Sequence, residues 1–291
     1  MTSPFCAWQP ELTFAQDFAD RAGARVRALV ASGLDVATKA DASPVTTADQ
    51  QLNDAFIDEV SRRFPGDGVL GEEASLPGRT RDGVLDGVPE DGERVWVIDP
   101  IDGTQQLILG IPLFMISIAL VVDGRPVVAV AHNPSTGDMY WASIGQGAFR
   151  GTPHGRSERL VVSSRSLGPD TTGAVTVNAG GSVPFEAGLN SDGLVQLQPG
   201  PVAAPHRFPW PSVFSGCKVA EGAWEADLYS GTAPWDVAAV ALLVSEAGGT
   251  VTDRLGRPQR YSAPVNGCIL SNGHVHEALV TAWSREYVPR A

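Results

Sequence analysis

From Trp96 to Ile98 an apolar strand runs directly into Asp99-Pro-Ile-Asp-Gly-Thr104, which places two carboxylates three residues apart on a turn shaped by Pro100 and Gly103. A buried strand must therefore end at a polar site. Such a turn can aim both carboxylates at one point. Oxygen donors at a strand end are what hard cations such as Mg2+ take, with the Ile101 carbonyl as a further donor. The hydroxyl of Thr104 is placed to hold a metal-bound water, and a helix starting there would direct N–H groups at a phosphate. An ordinary Asx-type turn uses the same residues, so the motif alone leaves both readings open.

Two more acidic sites weigh against the plain turn. Gly71-Glu72-Glu73 follows the apolar pair Val69-Leu70 at another strand end, and Trp235-Asp236 puts an acid in the first turn of a helix. Taken singly, Glu72 and Glu73 read as solvated surface and Asp236 as a helix-start residue that complements the dipole.

Apolar residues at Leu12, Ala15, Phe18, Ala19, Ala22, Val26 and Leu29 predict a helix over 11–32. A second helix, with Leu52, Ala55, Phe56, Val60 and Phe64 on one face, is capped by Thr46 or Thr47 and ends at Pro65-Gly66. Leu76 to Glu93 is rich in Gly, Pro, Asp and Arg and reads as a mobile surface loop. Apolar runs at 95–98, 113–122, 126–132 and 139–142, separated by turn residues, read as strands of an antiparallel sheet. Later helices are expected at 218–224, 235–247 and 274–283. The pattern is that of an α+β layered sandwich. Residues 1–150 form its first half and carry most of the acidic ligands; residues 151–291 supply Asp236 and the substrate pocket.

A formal charge of -12 excludes a nucleic-acid polymer as the main partner, because that requires a dense cationic surface. It remains compatible with cations that attract phosphate. No apolar run is long enough to span a membrane; the longest, Ile111 to Val122, is broken by Pro112. Cys6, Cys217 and Cys268 lack CxxC spacing, and Met1 to Pro10 lacks a basic stretch followed by an apolar core, so a cytoplasmic location is expected.

Taken together, Ser43 to Asp49, Gly71 to Glu73, Trp96 to Thr104 and Trp235-Asp236 running on to Glu246-Ala-Gly-Gly249 resemble the inositol monophosphatase family of metal-dependent, lithium-sensitive phosphatases. The resemblance implies the αβαβα sandwich of that family, a homodimer, and two or three Mg2+ ions. It assigns Glu72, Asp99 and the Ile101 carbonyl to one ion, and Asp99, Asp102 and Asp236 to a second; a third, weaker ion falls near Glu72. By the same resemblance Thr104 orients the attacking water, Asp49 supports Thr104, and Gly103 and Thr104 offer N–H groups to the phosphate of a small phosphorylated metabolite. Histidinol phosphate, inositol phosphate or a related sugar or cyclitol phosphate is the implied substrate class. The segment from Lys39 to Asp49 also resembles the branch that acts on 3′(2′),5′-bisphosphate nucleotides, and a non-catalytic scaffold with this fold is the remaining alternative.

The sequence departs from the family pattern in two places. Gln105-Gln106-Leu107 follows the DGT turn where many relatives carry a small or basic residue, then Asn and Phe, and Tyr229 stands seven residues before Asp236 where inositol and histidinol phosphatases of the family usually carry a Glu that meets substrate hydroxyls or amine. The loop before Trp235 reads as shortened, and a leaving group contacting Tyr229, Ser230 or Trp224 is expected. His132, His154, His206, His274 and His276 read as solvent-exposed, Lys218 as a solvated lysine opening a helix, and Trp210, Trp224 and Trp235 as core or interface residues.

Overall fold

The computed structural model describes residues 7–39, 44–75, 93–152, 155–166, 175–179, 185–189, 195–199, 210–230, 232–261, 265 and 267–286. Helix α1 is Gln9–Ser32, and α2 is Thr47–Arg63, capped by Thr46. Between them lies a small hairpin of β1 (Val36–Thr38) and β2 (Pro44–Thr46). The large sheet runs in sequence order through β3 (Gly68–Gly71), β4 (Arg94–Asp102), β5 (Met115–Val122), β6 (Arg125–His132), β7 (Met139–Ser143), β8 (Gly147–Gly151) and β9 (Ser157–Arg159). Only β3 and β4 are parallel; the remaining neighbours are antiparallel, as the turn signals imply. Residue 150 lies inside β8.

A short helix α3 (Thr104–Ile108) follows β4, and a separate hairpin pairs β11 (Phe185–Leu189) with β12 (Val195–Pro199). A second sheet joins β10 (Val175–Ala179), β13 (Ala226–Ser230), β15 (Cys268–Ser271) and β14 (Thr250–Thr252), in that order. Helices α4 (Ser212–Ala220), α5 (Pro234–Glu246) and α6 (His276–Glu286) complete the described elements.

Alternation along the strands builds the layers. Trp96, Ile98, Ile116, Ile118, Leu120, Val128 and Val130 face α1 and α2, where Phe14 and Phe56 pack on Trp96 and Phe18 packs on both phenylalanines. Each large side chain buried there contributes about 1.5–3 kcal/mol. The opposite face carries Val97, Ala119, Val121, Ala129, Ala131 and Ala142, small enough for α4 and α5 to lie close. Those helices also cover one face of the second sheet, through Tyr229, Cys268 and Leu270, while Leu228 and Ile269 turn to Leu279 and Trp283 of α6. Five layers result, in the expected order αβαβα.

Several boundaries differ from the sequence reading. The helix expected at 218–224 is α4, which starts at Ser212 behind Pro211 and stops where Gly222 takes φ +74. Lys218 therefore lies in its last turn, paired with Glu221 at 2.7 Å. The last helix starts at His276 because the Asn272 side chain accepts from the N–H groups of His274 and Val275 and holds a turn there. His132 and His276 are buried, each bonded within the fold, whereas His274 is exposed. Burial lowers the pKa of both buried imidazoles. Cys217 and Cys268 are buried free thiols, with Cys268 pushed up to about 12 by burial. Residues 76–92, His154, His206 and Cys6 lie outside the described residues. Among the described residues no helix is long and apolar enough to cross a membrane.

Candidate active site

Parallel pairing of β3 with β4 sets Gly71 beside Ile98, and the N–H of Glu72 donates to the Ile98 carbonyl at 3.2 Å. The two strands therefore release Glu72 and Asp99 at the same edge. Gly71 is needed for this approach: a Cβ there would lie 2.1 Å from the Asn53 side-chain oxygen. The register of β4 against β5 then shifts between Asp99 and Asp102, and Gly103, at φ +97, turns the chain into α3. Asp99 accepts from the Ile101 N–H at 2.9 Å, which fixes one of its oxygens.

The second half of the chain brings two helix starts to this edge. Asp102 accepts from the N–H and hydroxyl of Ser212, both at 3.0 Å, and from the N–H of Val213 at 2.7 Å. Asp236, in the first turn of α5, accepts from the Ala233 N–H at 2.8 Å and from the Thr232 hydroxyl at 2.6 Å. The Ser117 hydroxyl donates to the Trp235 carbonyl and ties that helix start to β5. Ligand oxygens of Asp99, Asp102 and Asp236 consequently lie within 4.8 Å of one another.

This much negative charge in a buried place is unfavourable without a cation. Burial raises the pKa of Asp99 well above the usual carboxylate range, and Glu72, Asp102 and Asp236 add to the shift. Asp102 is pushed up to about 7 by burial and by Asp236, against the opposing bonds from Val213 and Ser212. Asp236 is raised by burial and by Glu72, against the bonds from Thr232 and Ala233. An all-oxygen donor set of this kind fits a hard divalent cation. Lys39, after β1, places its ammonium 2.8 Å from Glu72 and 2.5 Å from Glu73. Burial would lower its pKa, but hydrogen bonds to the two glutamates outweigh that and raise it.

Beside the cluster stands a second constellation. The Thr104 hydroxyl lies 3.1 Å from Asp49 and 3.0 Å from the Ile101 carbonyl, two acceptors for one proton. The other oxygen of Asp49 takes the N–H and hydroxyl of Thr46 at 2.8 and 2.6 Å, and the first of these, with the Thr46 side chain accepting from the helix backbone, caps α2. Asp49 is fully buried, and burial raises its pKa against those bonds. The helix cap and the site thus use the same carboxylate.

A sequence model described as the inositol monophosphatase family matches residues 7–287. The chain belongs to that family. It is 34% identical over 275 residues to a histidinol-phosphatase of Mycobacterium tuberculosis, covering 93% of this chain and 96% of the relative. An inositol-1-monophosphatase of Rhizobium meliloti is 34% identical over 252 residues, with 84% and 85% covered. Among solved structures, an IMPase of Thermotoga maritima shares the fold at a TM-score of 0.72 and 24% identity, covering 95% of this chain and 98% of that one. Membership makes this chain a phosphoric monoester hydrolase of the family's metal-dependent kind.

Of the residues singled out in the sequence, Asp99, Asp102 and Asp236 converge, Glu72 flanks them, and Asp49 meets Thr104. Gly103 and Thr104 begin α3, with Gln105 exposed and Gln106 and Leu107 buried behind it. Tyr229 is placed differently from the pocket-lining reading. Its side chain is wholly buried and its hydroxyl donates to the Ser212 carbonyl at 2.7 Å, beneath the segment that holds Asp102. Two participants carried no motif of their own, Ser212 and Thr232, and Lys39, which opens the segment running to Asp49, carried no sign of its ion-pair partners. The one available signal was Thr232, a hydroxyl four residues before an acid at a helix start.

Proposed function

We propose that the chain cleaves a small phosphate monoester at the Asp99–Asp102–Asp236 cluster, with histidinol phosphate the foremost substrate. The observation that carries this reading is the convergence of those three carboxylates next to the Thr104–Asp49 pair. Divalent ions, taken here as Mg2+, would supply positive charge that activates water and neutralises the phosphate. Asp99, Asp102 and Asp236, with Glu72 and the Ile101 carbonyl, are the residues that would hold them.

The chain's own groups do the rest. The Thr104 hydroxyl donates its hydrogen bond to Asp49 or to the neighbouring Ile101 carbonyl, which leaves the threonine's lone pairs to orient a water molecule toward phosphorus. Gly103 and Thr104 present N–H groups to the phosphate oxygens at the turn, where charge increases during displacement. The bonds from Ser212, Val213, Thr232 and Ala233 keep Asp102 and Asp236 from reorienting, so little rearrangement accompanies the reaction.

Histidinol phosphate is favoured over inositol phosphate because two relatives matched along 93% and 95% of the chain are named histidinol-phosphatase, whereas the inositol-1-monophosphatase of Rhizobium meliloti is matched along 84%. The reading also takes the working form to be a lithium-sensitive homodimer in the cytoplasm, consistent with two free buried thiols. The test is phosphate release with Mg2+ from histidinol phosphate, inositol 1-phosphate, adenosine 3′,5′-bisphosphate and sugar phosphates. A clear preference for inositol 1-phosphate or the bisphosphate would overturn the substrate assignment, and no release from any of them would overturn the reading itself.

A further inference from the structure

Helix α4 holds Asp102 at its start and also carries an aromatic cluster on its outer side. Val213, Cys217, Val219 and Ala220 are buried against the core, whereas Phe214 and Lys218, one turn apart, are only partly buried. Trp210 just before the helix and Trp224 just after it close around Phe214. Ring centroids are 5.8 Å apart for Trp210 and Phe214, 6.1 Å for Trp210 and Trp224, and 6.3 Å for Phe214 and Trp224. The Lys218 ammonium lies 4.8 Å from the Phe214 ring centroid and is neutralised by Glu221 at 2.7 Å.

Trp210 is the outward member of this group, with 51% of its surface exposed. Its position relative to the carboxylates is fixed through two neighbours. Pro211 covers the turn at Gly103, where a Cβ would come within 2.9 Å of the proline ring, and Ser212 donates twice to Asp102. Trp210 and Ser212 are separated by two peptide units, at most about 7.6 Å of chain. A half-exposed indole, in contact with two further rings, therefore stands two residues from the serine that holds Asp102.

We infer that Trp210, backed by Phe214 and Trp224, is the specificity-determining wall of the leaving-group pocket and receives a planar unsaturated ring carried by the phosphate ester. The inference rests on the phosphatase reading and narrows it. A flat π-system gains offset or edge-to-face contact with an indole held in place beforehand, whereas a hydroxyl-rich leaving group needs buried polar partners to be recognised. The charged groups beside the rings are already engaged, Lys218 with Glu221, and Glu221 also with Tyr140 and Arg150. An imidazole matches what remains; a polyol does not.

The test compares wild type, Trp210→Ala and Trp210→Phe on three esters at fixed Mg2+: histidinol phosphate, 2-phenylethyl phosphate and glycerol 2-phosphate. For Trp210→Ala the efficiency on each ring-bearing ester relative to glycerol 2-phosphate should fall roughly three- to tenfold, mainly through KM, and Trp210→Phe should recover most of the ratio. An unchanged ratio, whether all three efficiencies fall together or none falls, overturns the inference. So does a change of mass in light scattering with the ratio unchanged, which would make the ring an interface between copies. If wild type releases no phosphate from any ester, the hydrolase reading has failed instead. The wall is then judged by whether 2-phenylethylphosphonate quenches the tryptophan fluorescence of wild type more than that of Trp210→Phe; equal quenching rejects it.

Discussion

The hydroxyl of Tyr229 donates to the carbonyl of Ser212 at 2.7 Å, and Ser212 in turn donates through its N–H and its hydroxyl to Asp102. A fully buried residue of the second sheet thereby supports a carboxylate that leaves the first sheet. Tyr229→Phe removes the upper bond without changing the packed ring, and a buried hydrogen bond of this type is worth about 0.5–1.5 kcal/mol. If that bond positions Asp102, the variant should bind Mg2+ roughly two- to tenfold more weakly in calorimetric titration, with saturating metal restoring most of kcat. A lowered melting temperature with unchanged Mg2+ affinity would confine Tyr229 to a structural role.

Asp99→Asn should separate activity from stability. Asp99 lies at the centre of the cluster, where burial and three neighbouring carboxylates oppose its ionisation. Losing its charge should abolish most Mg2+-dependent phosphate release. In EDTA, however, the variant should melt no lower than wild type, and on the order of 2 °C higher for each kcal/mol of repulsion relieved in a chain of this size. Near wild-type turnover would sink the assignment of Asp99 as a ligand.

Thr104→Ala leaves the carboxylates in place and removes the hydroxyl bonded to Asp49. If that hydroxyl orients the attacking water, kcat should fall on the order of a hundredfold with little change in KM. Steady-state kinetics on histidinol phosphate decides this. A rise in KM alone would make Thr104 a binding residue.

The layers and the convergence of acidic residues were legible in the sequence because each depends on local pattern. Alternation at Trp96 and Ile98 and helical spacing from Leu12 to Val26 identify faces without knowledge of their partners, and Asp99 and Asp102 close a strand while Asp236 opens a helix. What could not be read depends on pairs far apart in the chain. Ser212 is 110 residues from Asp102, and Lys39 is 33 from Glu72. Tyr229 was misread for a related reason: position relative to Asp236 could not tell whether the hydroxyl reaches a pocket or a backbone carbonyl. His276 read as solvent-exposed, but Ser271 and Thr252 close on both its nitrogens.

Those buried histidines give the fold a definite acid limit. His132 bonds the Asp138 carbonyl through Nδ1 and lies against Gly23, where a Cβ would be 2.9 Å from its Nε2; His276 lies between Ser271 and Thr252. Burial holds both pKa values below the ordinary 6.5, so between 6.5 and the lowered values the unfolded chain binds more protons than the folded one. Stability from these groups is complete above about pH 6.5 and is lost as pH falls through that window, by up to about 1.4 kcal/mol per pH unit for each histidine. The ionised Asp99–Asp102–Asp236 cluster acts in the opposite sense when no metal is bound. Its raised pKa values, about 7 at Asp102, mean that the metal-free fold gains stability as pH falls from 7 toward the ordinary carboxylate range. Melting temperature followed from pH 8 to 5.5 should therefore drop more steeply with saturating Mg2+, where the acids bind metal instead of protons, than in EDTA, where the two effects offset each other. Parallel curves under the two conditions would show that the acids do not share one cation, and a flat Mg2+ curve would show that the histidines do not limit the fold.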